Sequence, residues 1–193
     1  MALTADTHPA VLAAIEAECA ALGFAMSCDA ATGRLLRVLA TARPGGRLLE
    51  LGTGAGASTG WLLSGMDPAA TLLSVELDPA PAAVAARVLG ADPRLELVVG
   101  DGAELIDRLA GQRFDLVFAD TWPGKFHHLD QALDLLAPGG LYLVDDLFPQ
   151  PTWPADHAGA VAELRERLHA DPRLHTVELD CSTGLLLATR RPA

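Results

Sequence analysis

The chain has 193 residues, half of them apolar, with 18 glycines and 13 prolines, so it can bury a sizeable core and is too apolar to be disordered. Its formal net charge is −11 and no Lys/Arg run offers a phosphate track, which argues against a nucleic-acid partner. No run of about 18 apolar residues suggests a membrane span, the start Met1-Ala2-Leu3-Thr4-Ala5-Asp6 does not read as a signal peptide, and Cys19, Cys28 and Cys181 form neither a metal motif nor a disulfide set, so a reduced, cytoplasmic location is expected.

Val11, Leu12, Ile15, Cys19 and Leu22 recur at helical spacing, and Gly23 is a natural stop. A second helix is predicted from about Ala30 to Ala42, before Pro44-Gly45-Gly46 turns the chain into a strand. Strand-like runs then follow at Arg47–Leu51, Thr71–Glu76, Leu95–Val99, Phe114–Ala119 and Leu141–Val144. Between them lie helical stretches at Ser58–Gly65, Pro79–Leu89, Gly102–Ala110 and about Lys125–Leu136. Such alternation implies an α/β fold, a mostly parallel sheet with helices on both faces and right-handed crossovers. A helix near Ala158–Ala170 precedes two extended runs, Leu174–Leu179 and Leu185–Thr189, joined by the polar turn Asp180-Cys181-Ser182-Thr183-Gly184. They read as a hairpin, which makes the last of seven strands antiparallel to its neighbours. One domain over 1–193 is expected, with N-terminal helices in 1–43 and an α/β core in 44–193. The first helix is open to serving either the pocket or a homodimer contact.

The stretch Glu50-Leu51-Gly52-Thr53-Gly54-Ala55-Gly56-Ala57-Ser58 is the chain's organising turn. It runs from a strand into a helix whose free N–H groups can face a ligand. Three glycines at alternate positions remove side chains where a nucleotide-type ligand needs close backbone approach. Gly52-x-Gly54-x-x-Ala57 formally satisfies the dinucleotide fingerprint, and a plain tight turn without a ligand is the bland alternative. Carboxylates separate the candidate ligands. Glu50, Glu76, Asp101 and Asp120 all fall at carboxyl ends of predicted strands, where open α/β sheets bind ligands. Four acidic groups suit a cofactor carrying a sulfonium and an ammonium, and suit a pyrophosphate badly.

At this point the sequence resembles the class I S-adenosylmethionine-dependent methyltransferases, and among them the catechol O-methyltransferase-like group. The resemblance spans roughly Met26 to Arg190 and is carried by the glycine turn, Val75-Glu76-Leu77-Asp78-Pro79, Pro138-Gly139-Gly140-Leu141 and Gly184-Leu185-Leu186-Leu187-Ala188. It implies a Rossmann-like methyltransferase fold and a set of cofactor residues. Glu50 would face the methionine amino group and Ser58 its carboxylate, with Gly52, Thr53 and Gly54 lining the cradle. Glu76 would bind the ribose with Leu77 in the same set, and Asp101, Gly102 and Ala103 would border the adenine. Met26 to Asp29 matches the segment that closes over the cofactor, although Asp29 equally reads as a helix N-cap.

Asp120 and the pair Asp145-Asp146 follow the fourth and fifth strands, where three hard oxygen ligands could hold Mg²⁺ or Ca²⁺. Bound metal would orient two vicinal hydroxyls of a small, phenolic or catechol-like acceptor. The resemblance implies metal ligands at all three positions, with Asn usual at the place of Asp146. Capping of a following helix or turn is the alternative use of the Asp pair. The resemblance also places a lysine where Pro123 stands, and Lys125 lies two residues further on. Lys125 and Asp120 are the expected catalytic pair, against a surface lysine. His127 or His128 is a second candidate base. Trp122 reads as a cofactor-bordering aromatic or as core. The proline-stiffened loop Leu147–His157, with Phe148 and Trp153, reads as a substrate wall or a plain surface loop. Three other functions stay open: metal-independent transfer to nitrogen or another acceptor, a nicotinamide-binding oxidoreductase, and a non-catalytic S-adenosylmethionine-binding protein.

Overall fold

A computed structural model describes residues 8–150, 153–154 and 156–192. Met1–Asp6, read above for a signal, and Pro151, Thr152 and Ala155 of the proline-stiffened loop lie outside the described residues. In chain order the elements are α1 (Val11–Leu22), α2 (Ala30–Thr41), β1 (Arg47–Leu51), α3 (Ala57–Gly65), β2 (Thr71–Glu76), α4 (Pro79–Leu89) and β3 (Leu95–Val99), followed by α5 (Gly102–Arg108), β4 (Phe114–Ala119), α6 (Leu129–Asp134), β5 (Leu136–Val144), α7 (His157–Ala170), β6 (Leu174–Leu179) and β7 (Leu185–Arg190).

The strands form one seven-stranded sheet in the order β3-β2-β1-β4-β5-β7-β6. β1 to β5 pair in parallel, and β7 lies antiparallel between β5 and β6, as the hairpin reading expected. Strand order reverses between β1 and β4, so the crevice of the sheet opens at the carboxyl ends of those two strands.

Alternation along each strand divides two cores. Leu116 and Phe118 of β4 face Ile15, Leu36, Trp61 and Leu62 of α1 to α3, whereas Val117 and Ala119 face Ile106, Leu133 and Leu164 of α5 to α7. Leu12, Ile15 and Cys19 of α1 are buried in the first of these cores, so the apolar stripe of the N-terminal helix is used within the chain. Asp29, Asp78 and Asp101 accept backbone N–H bonds as N-caps of α2, α4 and α5. Gly23 closes α1 in the left-handed conformation.

Two expected boundaries are corrected. The helix expected from Lys125 begins only at Leu129. Gly124 and His128 take φ of 84° and 55°, and the chain between them closes as a turn in which Gly124 N–H donates to His127 O (2.8 Å). The strand expected from Leu141 starts at Leu136, which pairs with Phe114 before the register shifts and Leu116 meets Leu141. Leu133, Leu135 and Leu136 suit a helical or an extended period alike, and pairing with β4 decides. Other ends differ from expectation by one or two residues, the usual fraying. No helix among the described residues is long and apolar enough to cross a membrane.

Candidate active site

The glycine turn is built against the protein itself. Gly52 has φ 101°, and a Cβ there would lie 2.7 Å from the carbonyl oxygen of Asp120. Asp120 N–H donates back to Leu51 O (2.9 Å), so the ends of β1 and β4 are in direct contact. Alternate glycines are expected to make room for a ligand. Instead Asp120 borders Gly52, Phe24 and the Met26 carbonyl border Gly54, and Leu89 and Ala85 of α4 border Gly56. Close chain packing is thus a further reason for glycine at these positions.

Glu50 sits beneath this turn with no exposed surface. Its Oε2 accepts from the Thr59 and Ser74 hydroxyls, each at 2.5 Å, and Ser58 also lies against the carboxylate. Oε1 is the buried side-chain polar atom that lacks a hydrogen-bond partner among the described residues. Burial pushes the Glu50 carboxyl up to about 7, the hydroxyls of Ser58, Ser74 and Thr59 oppose that rise, and the charge of Glu76 adds to it. Glu76 accepts from Gly54 N–H (2.7 Å) and Asp78 N–H (2.9 Å). Asp101 accepts from Ala103 N–H (2.7 Å), and Gly102 lies under the ring of Pro123. Around this acidic floor stand exposed apolar side chains: Met26 ahead of α2, Leu77 after β2 and Trp122 after β4. An orphaned carboxylate oxygen in an acidic crevice with an apolar rim fits S-adenosylmethionine and disfavours a pyrophosphate. Trp122 is 57% exposed, so it is rim and not core.

Ala119 of β4 is in register with Val144 of β5, which brings Asp120 and Asp145 out side by side. Lys125 stands between them. Its Nζ donates to the Asp145 carbonyl (2.9 Å) and lies 3.7 Å from Asp120 Oδ1. At 5% exposure it is not a surface lysine. The preceding glycine explains this: a Cβ on Gly124 would come 2.7 Å from Leu51 Cδ1 and 2.8 Å from Tyr142 Oη. Tyr142 OH donates to Gly124 O (2.6 Å) and holds the turn that folds Lys125 inward. Burial pushes the Asp120 carboxyl up, and the Lys125 ammonium opposes that rise. Burial also raises Asp145, against hydrogen bonds from Thr183 and Asp146. Tyr142→Phe leaves the buried Gly124 carbonyl without its donor and is expected to cost about 1–2 kcal/mol in urea unfolding, with an unchanged m value.

The structure does not show the expected three-carboxylate metal site. Among the described residues no group of three His, Cys, Asp or Glu side chains is arranged to hold a metal ion. Asp145 Oδ1 already accepts from the Thr183 hydroxyl and from Asp146 N–H, and Asp120 faces an ammonium. Asp146 takes a left-handed φ of 63°. The residues therefore do not fit a Mg²⁺ or Ca²⁺ cage. Nor does the Asp pair cap a helix, since α7 begins after Asp156. His127 and His128 turn to each other (2.9 Å between Nδ1 atoms), and His128 lies 3.8 Å from Asp107.

Several contributors had no local signal. Ser182, with φ 57°, donates to Asp29 and contacts Thr32 Oγ1 (2.7 Å), while Thr183 donates to Asp145. The β6–β7 turn thus ties the Met26–Asp29 segment to the carboxylates. Asp29 is at once the N-cap of α2 and part of that tie. Burial, then the charges of Asp145 and Asp120, push the Cys28 thiol up, and the Met26 carbonyl of the same segment borders Gly54. His157 opens α7 in ring contact with Trp122, Phe126 and Trp153.

Comparisons with known proteins agree with this geometry. The family model of a methyltransferase domain matches residues 49–147. A Mycolicibacterium vanbaalenii protein carrying an O-methyltransferase name is 33% identical over 194 residues, covering 95% of this chain and 85% of its own. A catechol O-methyltransferase of Mycobacterium tuberculosis is 36% identical over 143 residues, 72% of this chain and 65% of its own. The crystal structure of the O-methyltransferase TomG from Streptomyces achromogenes, in complex with SAM, superposes with a TM-score of 0.83 at 25% identity, covering 96% of this chain and 91% of that one. Fold, acidic crevice and relatives converge, and the chain belongs to the class I S-adenosylmethionine-dependent methyltransferases, among the O-methyltransferases.

Proposed function

We propose that the protein methylates a hydroxyl of a small, phenolic acceptor at the junction of the β1 and β4 ends. The observation that carries this reading is the buried Lys125–Asp120 pair beside the acidic crevice. S-adenosylmethionine supplies a sulfonium methyl group. Glu50, Ser58, Glu76, Leu77 and Asp101, with the backbone of Gly52, Thr53, Gly54, Gly102 and Ala103, hold it. Asp120, raised by burial, is suited to take the proton of the acceptor hydroxyl. Lys125, 3.7 Å from that carboxylate, keeps it oriented. Trp122, Phe126, His157 and Trp153 give an aromatic wall against which a phenolic ring can stack. No step runs through a divalent cation, because Asp120, Asp145 and Asp146 do not make a cage for one.

The test is calorimetric binding of S-adenosylhomocysteine, followed by a methyl-transfer screen over catechols, flavonoids and small amines. An O-methyl product is expected, and Asp120→Asn should lower kcat about 10²- to 10⁴-fold. Product from amines alone would sink the oxygen acceptor.

A further inference from the structure

Three carboxylates stand at the ends of β4 and β5, yet the cation beside them belongs to the protein. Lys125 Nζ donates to the Asp145 carbonyl at 2.9 Å and reaches Asp120 Oδ1 at 3.7 Å. Its side chain is 6% exposed. The turn that delivers it is fixed at several points: the left-handed Gly124, the Tyr142 hydroxyl on the Gly124 carbonyl, and the Pro123–His127 bridge. Asp145 Oδ1 is taken by Thr183 and by Asp146 N–H. Mg²⁺ takes near-octahedral oxygen ligands at about 2.0–2.1 Å, and Ca²⁺ takes about six to eight at about 2.3–2.6 Å. Here either cation would have to displace or closely approach a buried ammonium of like charge, and it would find Asp145 half committed.

We infer that the Lys125 ammonium occupies the place of a hard divalent cation between Asp120 and Asp145, so that the site works without a bound metal. This deepens the methyl-transfer reading and rests on it for the reaction. The placing of the cation stands on Lys125, Asp120 and Asp145 alone. An ammonium neutralises one of the adjacent carboxylates, as a metal would, and offers hydrogen-bond donors to an acceptor oxygen. It needs no coordination shell of three convergent side chains, and among the described residues none is arranged to hold a metal ion.

The inference is tested on the full chain by Mn²⁺ titration without cofactor, followed by calorimetry and by electron paramagnetic resonance of free Mn²⁺. Wild type should show no stoichiometric site. Lys125→Ala removes the built-in cation and leaves Asp120 without its ion pair beside Asp145, so Mn²⁺ should bind it about tenfold or more tightly than wild type. Lys125→Arg should behave as wild type. One Mn²⁺ per wild-type chain that Asp145→Asn abolishes would overturn the inference, as would a folded Lys125→Ala protein with no gained site. Should Lys125→Ala fail to fold by circular dichroism, wild-type turnover after exhaustive chelation decides. Unchanged turnover supports the inference, and a loss restored by Mg²⁺ overturns it. Failure to bind S-adenosylmethionine would sink the methyl-transfer reading while leaving the Mn²⁺ comparison intact.

Discussion

Glu50→Gln is expected to stabilise the cofactor-free protein at pH 8, leave it unchanged at pH 5, and weaken its binding of S-adenosylmethionine. The sign follows from burial. The folded-state value is about 7, against 4.5 for an ordinary glutamate. A carboxyl raised in this way contributes fully below the ordinary range, and that contribution is lost as pH rises through about 7. Above it, the native state carries a buried charge that the unfolded chain can solvate. The difference corresponds to about 3 kcal/mol. Glu50 is wholly buried, so solvent screening does not reduce the effect. A neutral amide removes the cost only where the carboxyl is ionised, which makes the gain depend on pH. Binding runs the other way. A sulfonium and an ammonium favour the ionised carboxylate, so affinity should rise between about pH 6 and pH 8 in wild type and stay flat in the variant. Thermal melts and calorimetry at the two pH values check both halves, and an equal stability change at pH 5 and pH 8 would refute the burial argument.

Gly52→Ala is expected to lose about 2–4 kcal/mol of stability and to weaken S-adenosylhomocysteine binding at least about tenfold. Two costs combine. A φ of 101° is one that side-chain-bearing residues rarely adopt, and the new Cβ would lie 2.7 Å from the Asp120 carbonyl oxygen. Backbone must move to relieve that contact, and the moving backbone carries Asp120 away from Lys125. Gly159→Ala in α7 is the control, since nothing lies within 4 Å of its Cβ position. It should leave binding unchanged and stabilise the helix by about 0.5–1 kcal/mol. Equal losses in both variants, read from urea midpoints, would show that the close approach to Asp120 is unimportant.

Local pattern determined most of the architecture. β1, β2, β3, β4 and β6 form over the residues their apolar runs indicated, because a glycine or aspartate just beyond the carboxyl end of each (Gly52, Asp78, Gly100, Asp120 and Asp180) stops it locally. The acidic crevice was legible for the same reason. Glu50 and Glu76 lie within strands, Asp120 directly follows one and Asp101 lies one residue beyond another, and a doubly wound sheet gathers those ends at one edge. Where two periods fitted equally, at Leu133 to Leu136, only pairing with β4 could choose. Lys125 is the sharper case. Its sequence neighbours, Pro-Gly before and two histidines after, suit a surface turn as well as a buried one. Its burial depends on Tyr142 and Leu51, which belong to other strands. The hydroxyls of Ser182 and Thr183 likewise meet Asp29 and Asp145 only because β7 inserts beside β5. The sequence by itself determined which chemical groups line the carboxyl edge, because strand ends and their charges are local. The tertiary structure decided which of them touch: it put the Lys125 ammonium on the Asp145 carbonyl and the Thr183 hydroxyl on the Asp145 carboxylate, because those contacts join segments far apart in the chain.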